Sequence, residues 1–366
     1  MNSVPSVSSV LNLFRMPAMV LIRPVSIQDL DQLLELAASA GVGLTTLPND
    51  RELLRKRILK SQRSMENIPD RPGGESYLLV MQDLETKKIV GASGIVSKVG
   101  GFEPFYAYRL ETQSFDCAPL NVHKKIQVLH LVREHDGPAE VGSLFLSPDY
   151  RKKDYGRFLQ LVRFLFVAEH PEAFEQTVVS ELRGVIDDSG KSAFWDAVGK
   201  HFFEIDFPKA DHLSVVNKKF IADLMPTYPI YVPSLPAPAQ AVIGKVHESS
   251  KPALKNLEGE GFAFSGMVDI FDAGPCVSCK RDEIRTVRQS RLLNVAETKE
   301  AIDSPTHMIC TSGSEFRAAI GAVEFVSPES IRITTACAQI LNTKIGDRLR
   351  VCTLKATDSL VFGGKS

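Results

Sequence analysis

The stretch EVGSLFLSPDYRKKDYGRFLQLVRFLF, Glu140 to Phe166, decides the fold. A strand-like apolar run ends at Leu146 and gives way to a short turn carrying Arg151, Lys152 and Lys153. Gly156 follows, and then an apolar helix in which Phe158, Leu159, Leu161, Val162, Phe164, Leu165 and Val167 cover nearly the whole circumference. A helix apolar all round is buried. Cations gathered at the mouth of a buried helix ask for an anion. Successive backbone N–H groups at the helix start, with the positive end of its dipole behind them, bind phosphate, and Arg or Lys add charge-assisted hydrogen bonds. An exposed basic turn with no ligand would look the same, so the surrounding elements have to decide.

Upstream, MVLIRPV (residues 19–25) reads as a strand, and Ser26 with Asp29 three residues on forms a capping signal. Leu30, Leu33, Leu34 and Ala37 then recur at helical spacing until Gly41. Asn49, with Glu52 three residues on, is expected to cap a second helix bearing Leu54 and Ile58 on one face. SYLLVMQ and IVGASGIV flank the polar turn DLETKK as a hairpin, and FYAYRLETQSF suggests another extended pair. Downstream come the strand TVVSELRGV, the helical SAFWDAVGKHFF and a strand-like EIDF.

This order resembles the GNAT (acyl-CoA N-acyltransferase) fold, an α+β architecture with a mixed twisted sheet flanked by helices. The turn of that fold carries Q/R-x-x-G-x-G/A. Here it is matched at Arg151 and Gly156, while Asp154 stands at the first glycine. Asp is among the few residues that tolerate the left-handed region, so the turn is expected to survive. The resemblance makes Arg151, Lys152, Lys153, Asp154, Tyr155, Gly156 and Arg157 the cofactor-binding segment, with Gly142 allowing close approach on the strand.

The segments LIRPV, GLTTLP, LFLSPDYRK, RGVID, FWDAVGKHFF, DFPKAD, FIADLMPTYPIY, VIGKVH and VDIFDAGP together resemble the arginine N-succinyltransferase family, from about Met19 nearly to the C-terminus. That resemblance implies succinyl-CoA as donor, the α-amine of L-arginine as acceptor, and CoA plus N2-succinyl-L-arginine as products, a first step of arginine catabolism. It also implies no permanently bound cofactor and a homo- or hetero-oligomer, some members being the α subunit of an arginine/ornithine succinyltransferase; the composition and the scattered cysteines themselves fit a cytoplasmic compartment. Residue by residue, it places the succinyl-CoA-binding leucine on Leu144 and the proton-donor histidine on His247. Two positions depart from the family: Tyr228 stands where members often have His, and Asp154 where they have Gly.

His247 also suits the chemistry on its own terms. Amine attack on a thioester needs a proton removed from the amine and one given to the departing thiolate, and histidine does either near neutral pH. Many GNAT enzymes use a tyrosine on the short helix after the fifth strand, where this chain has Trp195. A loop histidine in a structural hydrogen bond is the plainer alternative. A guanidinium substrate calls for carboxylates. Glu181 is the candidate because it interrupts an apolar strand; Asp269 and Asp272 are alternatives, and a salt bridge from Glu181 to Arg183 is the structural reading. A cation for the succinyl carboxylate is equally required, and no pattern singles one out.

The rest of the chain sets bounds. With 366 residues, 44% hydrophobic, 24% charged and a formal net charge of −1, it is long enough for two domains and gives no global attraction to nucleic acid. No apolar run approaches the ~20 residues that span a bilayer. Six cysteines are scattered, and Cys276 and Cys279 read as ordinary thiols in a turn, with no second pair to make a metal site. Residues 1–18 are expected to be a flexible extension from an upstream start, 19–263 an acyltransferase domain with extra helix-strand elements, and 264–366 a small β-barrel domain. In the last, FRAAIGAVEF, SIRITTA and IGDRLRVCTL alternate like half-exposed strands. FWDAVGKHFFEIDF and ALKNLEGEGFAFSGMVDIF echo each other as helix, aromatic turn and strand, a hint of partial duplication. Rival readings are an acyltransferase of other specificity, a non-catalytic CoA-binding subunit, and a nucleic-acid binder using the basic turn.

Overall fold

β1 (Val20–Pro24) opens the chain in the computed structural model, which describes residues 19–40, 47–151, 154–216, 219–304, 306–313 and 315–355. The expected extension at 1–18 lies outside them, as do Lys152 and Lys153. Ser26 and Asp29 form the anticipated capping box, and α1 (Leu30–Ser39) follows a short 3-10 turn. α2 (Arg51–Glu66) is capped by Asp50, one residue beyond the expected Asn49, because the Asp50 carboxylate accepts from the Leu53 N–H at 2.8 Å. The predicted hairpin is β2 (Ser76–Asp83) and β3 (Ile89–Val96). The aromatic extended pair becomes a long ribbon of β4 (Gly100–Cys117) and β5 (Val122–Asp136).

The opening motif is β6 (Ala139–Leu146) and α3 (Tyr155–Glu169), and β7 (Thr177–Glu181) completes the unit. Short helices follow: α4 (Ala193–Ala197), α5 (Lys200–Phe203), α6 (Phe207–Val216) and α7 (Lys219–Leu224). EIDF is therefore not a strand. Glu204 turns left-handed at φ 54°, Ile205 gives its carbonyl to the indole N–H of Trp195, and Phe207 already begins α6. β8 (Ile230–Tyr231), α8 (Ala237–Val242) and α9 (Lys251–Gly259) lead to β9 (Ala263–Val268) and β10 (Pro275–Lys280). The CxxC cysteines lie on β10 rather than in a turn, both buried.

After α10 (Arg285–Gln289) come β11 (Arg291–Lys299), β12 (Thr306–Thr311), β13 (Ala318–Ser327), β14 (Ser330–Thr334), α11 (Thr335–Leu341) and β15 (Arg348–Thr353). The strands run in the order β12-β15-β11-β14-β13-β1-β2-β3-β6-β7-β10-β9-β4-β5-β8, and a further β12–β13 pairing closes the last five in sequence into a barrel. The expected change of architecture at residue 264 thus falls later. β9 and β10 pair with β4 and β7 as part of the open sheet, and the barrel begins at Arg291. Antiparallel partners are not written in a strand's own sequence, which is why the loss of helices at 264 looked like a boundary. The fold is mixed α/β with a closed five-stranded barrel.

Packing explains the layers. α1 and α2 cover one face of the sheet with Leu33, Leu54 and Ile58 against Leu78 and Val80. α3 covers the other, where Phe158, Phe164 and Phe166 are fully buried among Tyr77, Phe174 and Phe262. Each such side chain contributes roughly 1.5–3 kcal/mol by leaving water. A separate cluster around Trp195 seats the helices α4–α8 on the β4–β5 ribbon, and a fourth fills the barrel. Among the described residues no helix is long and apolar enough to cross a membrane.

Candidate active site

The site is a gap in the sheet. β6 and β7 are parallel but paired only at Ala139↔Val178 and Glu140↔Val179. Beyond that they part, and the Ser180 hydroxyl, donating to the Val141 carbonyl at 3.1 Å, marks the fork. On the other side β6 stays joined to β3, yet it advances three residues, from Gly142 to Phe145, while β3 advances two. The extra residue is a bulge, and Ser143 takes it up in the left-handed region at φ 54°. Gly142, Ser143 and Leu144 therefore line a cavity of about 680 Å3 on the side where β7 no longer pairs with β6.

At one end stands the predicted phosphate turn. Asp154 adopts the left-handed conformation expected of it, φ 65°, immediately before α3. Gly156 faces the cavity, where an added Cβ would meet only Leu146 at 3.8 Å, so this wall is open to a ligand. Arg151 lines the cavity but is anchored: its Nε donates to the Leu146 carbonyl at 3.0 Å and its guanidinium lies 5.6 Å from the Phe145 ring centroid. Arg157 also lines it, donating to Asn256 Oδ1 at 3.1 Å. Tyr155 is brought elsewhere. Its ring is buried in the core beneath α3 and does not line the cavity, leaving its backbone as its only route to a ligand.

At the other end four carboxylates gather from three segments: Glu181 on β7, Asp211 on α6, and Asp269 and Asp272 in the turn after β9. Glu181 lies where the strand reading put it. Its expected partner Arg183 instead feels Asp272 and Asp211, and burial lowers the arginine's pKa. Asp269 and Asp272 are occupied with backbone. Asp269 accepts from the N–H groups of Phe271 and Asp272 at 2.7 and 2.8 Å, and Asp272 from Gly184 and Gly274, both at 2.8 Å. Close contact here requires the glycines, since a Cβ on Gly274 would stand 2.1 Å from the Leu182 carbonyl. Burial raises the pKa of both acids, and for Asp272 the neighbouring Asp269 charge raises it further.

Asp211 was not legible beforehand. Its carboxylate accepts no hydrogen bond among the described residues, and burial with the Asp269 charge raises its pKa to about 7 against the pull of Arg183. Unlike Asp269 and Asp272, it is not taken up by backbone N–H groups. One aspartate among the mixed polar and apolar residues of a short helix carries no pattern that would have marked it.

His247 stands beside this end. Its N–H donates to the Arg183 carbonyl at 2.9 Å, Val246 bridges to Gly184, and Ser249 and Ser250 just beyond line the cavity. His247 Nδ1 accepts from the Ser249 N–H at 3.2 Å and lies 2.7 Å from the Ser249 hydroxyl. An Nδ1 that accepts leaves the proton of neutral imidazole on Nε2, the tautomer that donates outward. A hydrogen-bonded chain of Arg157, Asn256, Gln160 and the Ala253 carbonyl fastens α9 to α3, fixing the histidine segment relative to the phosphate turn. Trp195 is fully buried, with no access to the cavity. The structure thus brings Leu144, Arg151, Asp154, Gly156, Arg157 and Glu181 to one cavity with His247 at its edge, and leaves the Tyr155 side chain out.

Residues 20–286 match the family described as arginine N-succinyltransferase beta subunit, and residues 291–353 match its C-terminal domain. The arginine N-succinyltransferase of Yersinia pestis (strain Pestoides F) is 39% identical over 349 residues, 93% of this chain and 99% of that protein. That of Salmonella schwarzengrund (strain CVM19633) is also 39% identical, over 94% of this chain and 100% of its own. Among solved structures, the arginine/ornithine succinyltransferase subunit AI of Pseudomonas aeruginosa superposes with a TM-score of 0.85 at 33% identity, covering 92% of this chain and 99% of that one.

Proposed function

The chain belongs to the arginine N-succinyltransferase family and is an acyltransferase, and from that premise we propose how it works. It transfers the succinyl group of succinyl-CoA to the α-amine of L-arginine, giving CoA and N2-succinyl-L-arginine. The observation that carries this reading is one cavity with two unlike ends: a basic turn at a buried helix, and a group of buried carboxylates.

In this reading the core is a GNAT core. The CoA pyrophosphate sits on the N–H groups that open α3, with Arg157, Arg151 and the neighbouring Lys152 and Lys153 supplying charge. The pantetheine arm, with amides like a peptide's, takes the place of the missing strand along Leu144. The arginine guanidinium lies among Glu181, Asp211 and the 269–272 turn, Asp211 having a carboxylate to offer. The neutral α-amine attacks the thioester carbon, and the N–C bond forms as the C=O pair moves to oxygen. The backbone of the β6 bulge lines the same cavity and is the candidate to hold that oxyanion. Collapse breaks the C–S bond, the thiolate takes the proton on His247 Nε2, and the proton shed by the attacking nitrogen restores the imidazole, so that amine and thioester give amide and thiol.

The test is release of free CoA from succinyl-CoA with L-arginine or L-ornithine as acceptor, in parallel with His247→Ala. Release with arginine, lost in the variant, supports donor, acceptor and acid together. Release with ornithine alone keeps the chemistry and changes the acceptor. Release from acetyl-CoA but not succinyl-CoA, or from neither, overturns the proposal.

A further inference from the structure

α3 holds one side chain that its apolar surroundings do not explain. Arg163 is only 1% exposed, and it lines the cavity. Its Nε donates to the Gln160 carbonyl at 2.8 Å; its Nη1 donates to the carbonyl of Gly142 at 3.0 Å and, more weakly, to that of Gly94 at 3.4 Å. A guanidinium has five N–H donors. Those of Nη2 find no acceptor among the described residues, and no carboxylate among them pairs with the group. Burial alone lowers its pKa, to about 9, so at neutral pH it remains a cation without a counter-charge. Such a group is costly to keep inside a protein unless something charged meets it.

Its position says what that something is. Gly142 and Gly94 face each other across the β3–β6 pair at the bulge, just where β6 and β7 begin to part. The other cavity arginines are engaged otherwise. Arg151 stands over Phe145 at the turn, Arg157 lies beside Asp154 and Asn256, and Arg183 lies beside Asp211 and Asp272. Arg163 lies at the fork, past Leu144 from the phosphate turn; Arg57 of α2 also reaches the bulge, donating to the Ser143 hydroxyl at 2.5 Å, but does not line the cavity.

We propose that Arg163 is the specificity-determining residue for the acyl donor: its guanidinium binds the distal carboxylate of a dicarboxylic acyl group whose thioester lies at the β6 bulge. This rests on the acyltransferase reading of the same cavity. It adds a reason for the donor to be a dicarboxylic mono-thioester rather than a simple fatty acyl-CoA. The carboxylate supplies the counter-charge and takes the Nη2 donors, and the glycines at 94 and 142 leave their carbonyls free to hold the fork in place.

The experiment compares kcat/KM for succinyl-CoA and for butyryl-CoA, which replaces the distal carboxylate by a methyl group, with saturating L-arginine. The wild-type enzyme is expected to prefer succinyl-CoA strongly. Arg163→Gln is expected to lose about 100-fold on succinyl-CoA, as for a lost charge-assisted hydrogen bond, with little change on butyryl-CoA. Arg163→Lys is expected to recover part of the preference. A variant that slows both donors equally shows a structural arginine and overturns the inference while leaving the succinyltransferase reading intact. A wild-type enzyme indifferent to the carboxylate overturns the donor assignment itself. Should the variants fail to fold, a wild-type complex with the thioether analogue of succinyl-CoA decides: a carboxylate within about 3.2 Å of the Arg163 guanidinium supports the proposal, and one seated elsewhere overturns it.

Discussion

The two ends of the cavity are built in opposite ways. The phosphate turn comes from one continuous run, residues 144–157, and its groups are backbone amides and half-exposed cations that water also solvates. The carboxylate end is assembled from β7, α6 and the turn after β9, and its acids are buried enough that their pKa values rise. The first costs little to maintain and, in the proposed reading, would grip a ligand through many modest contacts. The second is held at a cost that, in the same reading, a cationic substrate would offset. Mutations at the two ends should therefore differ in kind as well as in size.

The largest effect belongs to neither end but to the group between them. His247→Ala is expected to lower kcat by about 100- to 10,000-fold with small changes in KM for either substrate, measured by CoA release. A variant that instead raises KM for arginine would move His247 into the carboxylate end and break the division. Ser249→Ala, which leaves the backbone N–H on Nδ1 but removes the hydroxyl, is expected to cost far less.

Next is Asp211. Asp211→Asn should weaken L-arginine binding by about 10- to 100-fold, the scale of a hydrogen bond to a charged group, with KM for succinyl-CoA unchanged. Its pH behaviour sharpens the point. The folded chain holds the Asp211 proton up to about pH 7, whereas the ordinary value is 3.8. Between those values the folded state binds the proton that the unfolded state has released, so stability without substrate falls as pH rises and this contribution is gone above about 7. Asp211→Asn removes that loss. It should melt higher than the wild type at pH 8 while binding arginine worse, and wild-type arginine affinity should fall as pH drops below about 7. Calorimetric titration and thermal melts at pH 6 and 8 read both. Identical melting at pH 8 would show the carboxylate to be compensated already.

How far the sequence reveals each end follows from the same contrast. The turn was readable because strand, cations, glycine and apolar helix lie in one stretch, and even the left-handed Asp154 follows from its residue type. Ser26 with Asp29, and the alternating strands of the barrel, were local in the same sense. Asp211 was not, because its meaning comes from Asp269 and Arg183, which lie far off in the chain. EIDF misled because four alternating residues satisfy a strand pattern, while the Trp195 indole and the start of α6 claim them in three dimensions. Arg163 did carry a signal, as a cation within the apolar run Leu161 to Val167, but the bulge that gives it a role depends on β3.

At the turn, effects should be smaller and salt-dependent. Arg157→Ala is expected to raise KM for succinyl-CoA by about three- to tenfold at low salt and less at 0.5 M, since exposed charges are screened over about 10 Å at 0.1 M ionic strength. The loss of its bond to Asn256 also loosens α9, so a modest fall in kcat should accompany it. A purely kcat effect with no change in KM would mean that Arg157 serves the histidine segment and not the phosphate.

Asp154→Gly should have the smallest effect. Glycine enters the left-handed region without the steric cost an Asp bears, which favours the variant by up to about 1 kcal/mol in the folded state. Against that, glycine adds freedom to the unfolded chain, and the substitution removes a carboxylate lying 3.8 Å from Arg157 and 3.4 Å from Lys355. Exposed pairs of this kind contribute little, so the terms nearly cancel and the melting temperature should move by only a few degrees. Binding is the better readout. Removing a negative charge from the mouth of a phosphate site should lower KM for succinyl-CoA about two- to threefold at low salt and leave arginine untouched. A rise in KM would mean that the Asp154 carboxylate holds Arg157 in its binding pose, and that the turn relies on pre-set side chains as well as on backbone.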